Sequence, residues 1–141
     1  MTKTAFLFAG QGAQYLGMAR DLYDQYGVVK ATFEEASQVL GYDVRELIDQ
    51  NEEKLNQTRY TQPAILTTSV AIYRLLAETG IQPDMVAGLS LGEYSALVAA
   101  GALDFKTAVA LVAKRGAFME ESAPAGSGKM VAVLNTDVAG I

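Results

Sequence analysis

With 141 residues, half of them hydrophobic and 19% charged, the chain has the composition of an ordinary globular protein and the length of one domain or part of one. A net charge of −5 without a Lys/Arg cluster excludes a nucleic-acid surface, which needs basic groups to displace phosphate counterions. Cysteine and histidine are both absent, which excludes disulfides, thiolate metal sites and the usual zinc ligand sets.

Short apolar runs alternate with longer amphipathic segments, the pattern of an α/β fold rather than a bundle or sandwich, and a short parallel sheet is the expectation. Thr4 to Ala9 reads as a buried strand, and Gly10-Gln11-Gly12-Ala13-Gln14 as its exit turn. Its apolar run is too short for a signal peptide, and no run approaches the roughly 20 residues that cross a bilayer, so no membrane association and a cytoplasmic location are expected. Helices are expected over Tyr15 to Tyr26 and over Val29 to Leu40, the second stopped by Gly41. Asp43 and Glu46 have the spacing of a capping box for a short helix ending near Ile48, followed by a loop or frayed turn from Asn51 to Thr61. Pro63 suits the first turn of a long, mostly buried helix running to Gly80.

Met85 to Ala87 is the second short strand, Ser90 the turn after it, and Leu91 to Ala100 a helix of small and apolar residues ended by Gly101. Asp104 caps a helix over Phe105 to Glu121 that is apolar on nearly every face between Ala108 and Ala113, hence buried on several sides. Pro124 to Gly128 is linker-like, and Met130 to Leu134 reads as a strand beginning a further unit.

In an open parallel sheet, sites form at the carboxyl ends of the strands. If the two strands are parallel neighbours, Gln11 and Ser90 face one crevice. Gly88-Leu89-Ser90-Leu91-Gly92 between a strand and a helix fits a nucleophile elbow, with glycines permitting a tight turn that projects the serine oxygen. The following helix aims its amino-terminal N–H groups at whatever Ser90 attacks, and the N–H groups of Leu91 and Gln11 are the candidate oxyanion donors. The alternative is a plain turn with a capping serine. Gly10 and Gly12 also begin a dinucleotide fingerprint, but Tyr15 stands where its third glycine belongs. Arg115 emerges among Leu111, Val112, Phe118 and Met119; it either clamps an anion, or snorkels to water or pairs with a structural acid. Gln62, before Pro63, acquires no function from spacing alone.

Four segments in order, Phe8-Ala9-Gly10-Gln11-Gly12-Ala13-Gln14, Tyr60-Thr61-Gln62-Pro63-Ala64, Gly88-Leu89-Ser90-Leu91-Gly92-Glu93-Tyr94 and Lys114-Arg115-Gly116, resemble the amino-terminal half of the bacterial malonyl-CoA:acyl carrier protein transacylases. The resemblance implies that residues 1–127 are the amino-terminal part of an α/β-hydrolase-like large subdomain, and that 128–141 begin a ferredoxin-like small subdomain. It implies Ser90 as nucleophile, the backbone of Gln11 and Leu91 as oxyanion hole, Arg115 as clamp for the malonyl carboxylate and Gln62 as a pocket residue. Malonyl-CoA and acyl carrier protein are the implied partners, and no metal or redox cofactor is implied.

Two departures accompany it. Leu89 stands where many relatives have histidine beside the serine, which points to a tuned site. The family's general-base histidine comes from later chain, so these 141 residues are expected to be a fragment with little turnover alone. Family members of this kind are monomers, whereas an unpartnered edge at Met130 to Leu134 is expected to favour self-association. An acyltransferase module of a polyketide or fatty-acid synthase, a general serine esterase and a non-catalytic binding remnant are the rival readings.

Overall fold

A computed structural model describes residues 2–131, 133–135, 137 and 139. Among them the element order is β1 (Ala5–Phe8), α1 (Arg20–Gln25), α2 (Gly27–Leu40), α3 (Val44–Gln50), α4 (Glu52–Leu55), α5 (Thr58–Glu78), β2 (Met85–Gly88), α6 (Gly92–Ala99) and α7 (Phe105–Ser122). The two strands pair in parallel, Ala5 opposite Met85 through Phe8 opposite Gly88, so the α/β reading and the shared carboxyl edge both hold. The crossover between them carries α1 to α5, helices being the usual content of a parallel connection.

Alternation along the strands sorts the sheet into two unlike faces. Phe8 is buried, and Phe6 meets Tyr73 of α5 edge-to-face at 6.4 Å. On the opposite face Leu7 is 80% and Met85 57% exposed, so β1 is covered on one face only and is not the buried strand its apolar run suggests.

The core lies among the helices. Val29, Phe33 and Ala36 of α2 pack with Val44 and Ile48 of α3, Leu66 and Val70 of α5, and Val109 and Val112 of α7. Caps read from the sequence form as expected. The Asp43 carboxylate accepts from the Glu46 N–H (3.0 Å), that of Asp104 accepts from the Thr107 N–H (3.1 Å), and Gly41 ends α2 with φ of 79°.

Between Ala108 and Ala113, α7 is buried at Ala108, Val109 and Val112 only, with Ala110 and Leu111 exposed, so it is not covered on several sides. Four further expectations need correction. The first helix starts at Arg20, not Tyr15, because Gly17 and Ala19 adopt left-handed φ of 75° and 57°, which no helix continues through. That stretch is held instead by the Gly17 N–H on the Ile48 carbonyl (2.9 Å) and Arg45 Nη1 on the Met18 carbonyl (2.9 Å). The expected loop from Asn51 to Thr61 is largely helical: the Asn51 side chain caps α4, and α5 already begins at Thr58. Pro63 therefore sits inside α5 and not in its first turn. A proline there forfeits one helical hydrogen bond, and the tight packing of this segment outweighs the loss: every residue from Thr61 to Thr67 is buried. Finally, Met130, Val131, Val133 and Leu134 are exposed and unpaired with any described strand, while Ala132 lies outside the described residues. Extended backbone becomes a strand only beside a ladder partner.

Candidate active site

Ser90 stands between β2 and α6 with φ of +52°, left-handed for a residue that carries a Cβ. Such a conformation costs about 1–2 kcal/mol and persists only where the surroundings impose it. They do so through close backbone contact. A Cβ on Gly88 would lie 2.0 Å from the Gly92 carbonyl carbon, and one on Gly92 2.1 Å from the Phe8 carbonyl oxygen. The two glycines let β2, the elbow and β1 touch as bare backbone, and Ser90 is left exposed at the sheet's carboxyl edge.

The first turn of α6 corrects the picture of several free donors. The Gly92, Glu93 and Tyr94 N–H groups already donate to the Leu89, Ser90 and Leu91 carbonyls at 2.9–3.0 Å. Among the described residues, the Leu91 N–H has no acceptor, and neither has that of Gln11 in the turn leaving β1. The two segments abut: a Cβ on Gly10 would come 2.5 Å from the Leu89 carbonyl oxygen.

Gln11, Gln62, Arg115 and Ser90, far apart in sequence, are joined by one hydrogen-bond chain. Arg115 Nη2 donates to Ser90 Oγ (3.2 Å) and Nη1 to Gln62 Oε1 (2.8 Å). Gln62 Nε2 reaches Gln11 Oε1 (3.4 Å), and Gln11 Nε2 donates to Thr58 Oγ1 (3.1 Å). Gln62 is 1% exposed, so its amide is committed to these partners and to Met119 Sδ (3.3 Å). The half-buried Arg115 lies 5.5 Å from the centroid of the Tyr94 ring, and no carboxylate among the described residues pairs with it. Of the two sequence alternatives for Arg115, pairing with a structural acid is thus set aside within the described residues.

Helix packing keeps the cation in place. Gly116 brings α7 against α5 so closely that a Cβ there would meet the Thr58 carbonyl oxygen at 2.8 Å. One turn on, the Glu120 carboxylate accepts from the Arg59 N–H (3.0 Å) and Nε (2.5 Å). Burial alone would raise the Glu120 carboxyl, but the Arg59 hydrogen bonds and charge outweigh it and hold it below the usual glutamate range. Beside Arg115 a mainly apolar groove of about 560 Å³ runs along α7, lined by Leu111, Lys114, Phe118 and Met119.

Sequence reasoning missed Thr58, Met119 and Tyr94. Thr58 fell in the stretch read as loop, Met119 was one more apolar neighbour, and Tyr94 was a motif letter without a role. The left-handed Ser90 between strand and helix has the shape of a nucleophile elbow, and a guanidinium stands on its hydroxyl. The family described as acyl transferase domain matches residues 5–139.

The chain belongs to the acyl transferase domain family.

Within the family it is similar to the malonyl CoA-acyl carrier protein transacylases of Bacillus subtilis (strain 168), at 53% identity over 97% of this chain, and of Escherichia coli (strain K12), at 52% over its full length. The chain spans just under half the length of those relatives, 44% and 46%. Among solved structures it resembles MCAT from Streptococcus pneumoniae, with TM-score 0.93 and 82% identity, over 97% of this chain and 45% of that one. It also resembles a malonyl-transacylase solved in complex with its type II PKS acyl-carrier protein, with TM-score 0.84 and 54% identity, over 87% and 40% respectively. Among the described residues no helix is long and apolar enough to cross a membrane.

Proposed function

We propose that this chain carries the serine half of a malonyl-transfer site: Ser90 takes a malonyl group from malonyl-CoA and yields it to the phosphopantetheine thiol of an acyl carrier protein. The observation that carries the reading is the Arg115 guanidinium, free of any carboxylate among the described residues and 3.2 Å from the Ser90 hydroxyl. A planar fork on one wall of the crevice matches the free carboxylate of a malonyl thioester and offers nothing to an acetyl group.

In this reading Ser90 Oγ attacks the thioester carbonyl carbon and loses its proton to a base, forming the C–O bond. The oxygen that becomes negative takes the N–H groups of Leu91 and Gln11, and collapse breaks the C–S bond to release CoA as its protonated thiol. The carrier-protein thiol then attacks the malonyl ester by the reverse sequence and returns the proton to Ser90. Gln62, bonded to Arg115, keeps the guanidinium turned toward the crevice. The thioester is already activated, so the chemistry calls for no metal or redox cofactor. A cytoplasmic location is part of the same proposal.

The chain has no histidine, the side chain whose ordinary pKa lies nearest neutrality. A histidine supplied from outside these residues is therefore part of the proposal, and the chain alone acylates slowly. The test is intact-mass detection of covalent label on Ser90 after exposure to malonyl-CoA or acetyl-CoA, with and without added imidazole as a base. Malonyl label is expected at least ten-fold faster than acetyl, accelerated by imidazole, absent in Ser90→Ala and stripped of its preference in Arg115→Ala. Equal labelling by both thioesters would move the assignment to a general esterase. No label on the wild type, even with imidazole, would leave only a binding role.

A further inference from the structure

The second glutamine of Gly10-Gln11-Gly12-Ala13-Gln14 has no part in the chemistry above, yet its side chain makes two well-formed hydrogen bonds. Gln14 Oε1 accepts from the Gly12 N–H at 2.8 Å, and Gln14 Nε2 donates to Asn56 Oδ1 at 3.0 Å. A backbone N–H can only donate, so the amide oxygen must face Gly12 and the amide nitrogen must face Asn56. Asn56 lies between α4 and α5, two residues before Thr58, which holds the Gln11 side chain at 3.1 Å.

Gln11, Gly12 and Ala13 are all exposed, so no apolar packing fixes their backbone. Gly12, at φ of +108°, belongs to the residue type with the widest backbone freedom. The turn that carries the Gln11 N–H is held by its own Ala13 to Gly10 bond of 3.3 Å and by these side-chain ties to the head of α5.

We infer that Gln14 is a positioning residue: bridging Gly12 to Asn56, it fixes the turn after β1 so that the Gln11 N–H stays aimed at the Ser90 elbow. Glutamine meets both requirements as the two partners stand. Asparagine is one methylene shorter, alanine has neither group, and glutamate keeps the Asn56 link only if that amide turns to donate its Nδ2. The tether also ties the donor to the short link that leads into α5, the helix whose Gln62 orients Arg115, so the charge-stabilising and carboxylate-holding sides of the crevice share neighbouring supports. This inference rests on the acyl-transfer reading of Ser90.

The experiment pairs amide hydrogen exchange in the ¹⁵N-labelled chain with the rate of malonyl label on Ser90 in imidazole. Gln14→Ala is expected to speed exchange at Gly12 at least ten-fold, to loosen Gln11 and Ala13 with it, and to leave the melting temperature nearly unchanged because both bonds are exposed. Its maximal labelling rate should fall at least ten-fold while half-saturating malonyl-CoA stays within two-fold, since the Arg115 contacts are untouched. Asn56→Ala should give a smaller change of the same kind, and Gln14→Glu, which can accept from Gly12 and from a turned Asn56 amide, should keep Gly12 protected. Wild-type exchange in Gln14→Ala, or faster exchange with an unaltered labelling rate, would overturn the inference. Absence of label on wild-type Ser90 would instead overturn the acyl-transfer reading, and the exchange data alone would then decide the tether.

Discussion

In the helical layer Phe33, Leu66, Val70, Val109 and Val112 are almost wholly hidden, whereas one face of the sheet shows Leu7 and Met85 to solvent. Both regions are apolar in sequence, and only one is packed on every side. Parallel sheets are ordinarily covered on both faces. The helices therefore hold the chain together, and the sheet contributes its carboxyl edge, where Gln11 and Ser90 meet Gln62 and Arg115 arriving from α5 and α7. The site is mounted across the seam between a finished layer and a half-covered one.

The most damaging way to break that seam is to add one methyl group at Gly88. Its Cβ would sit 2.0 Å from the Gly92 carbonyl carbon and 2.3 Å from the Glu93 nitrogen, and backbone cannot rotate away as a side chain can. Gly88→Ala is expected to cost about 4 kcal/mol or more, seen as a large drop in urea midpoint or as failure to fold. A near-native midpoint would mean the elbow has slack that the contacts deny.

Next comes a direct comparison of the two regions. Leu66→Ala, in the packed layer, is expected to cost about 3 kcal/mol from lost burial and the cavity left behind. Leu7→Ser, on the bare face, should change stability by less than about 0.5 kcal/mol. If Leu7→Ser costs as much as Leu66→Ala, or if the wild-type midpoint climbs with protein concentration, that face is covered in solution by another copy.

The same contrast explains what was legible beforehand. Elements whose boundary is written by one residue were readable: Gly41 and Asp104 at helix ends, and the strand, serine and glycine sequence around Ser90. The start of α1 was not, because what breaks the helix is a tertiary pull on Gly17 and Met18 from the Ile48 carbonyl and the Arg45 guanidinium. Nor was the start of α5, where a polar surface stretch conceals a buried Thr61 and Leu55. Ser90 could be found from local geometry alone. The partner of Arg115 could not, since two answers fitted its neighbours until Gln62 and Ser90 stood beside it.

A smaller effect isolates the strain in the elbow. Glycine adopts positive φ freely, so Ser90→Gly should be more stable than Ser90→Ala by about 1 kcal/mol, the alanine retaining the same left-handed backbone. Equal midpoints for the two variants would indicate that the turn relaxes once the hydroxyl is gone.

Smaller still is the pH dependence of the α5–α7 clamp. The folded Glu120 carboxyl lies below its ordinary value of 4.5, so the stability it supplies is present above that value and is lost as pH falls through the lowered folded value. The gap between wild type and Glu120→Gln should be constant at neutral pH and close in acid. With Arg59 44% exposed the gap stays below about 1 kcal/mol, and thermal melts across pH 3 to 7 would measure it. A gap that widens in acid would reverse the assigned direction.

The least effect belongs at the opposite end of the sheet from the site. Lys3 and Asp84 approach to 3.4 Å, but both are well exposed, so water and salt screen the pair. Asp84 also serves the backbone, since its Oδ2 accepts from the Thr4 N–H at 2.8 Å while its own N–H donates to the Thr4 carbonyl at 2.8 Å, closing the ladder ahead of Ala5 and Met85. Lys3→Ala should therefore shift stability by no more than about 0.3 kcal/mol and lose even that in high salt, whereas Asp84→Ala should cost up to about 1 kcal/mol at any salt concentration. Equal, salt-sensitive losses in the two variants would mean that charge, not the backbone ladder, holds the strands together where they start. The bare sheet would then depend on ionic strength in a way the buried helical layer does not.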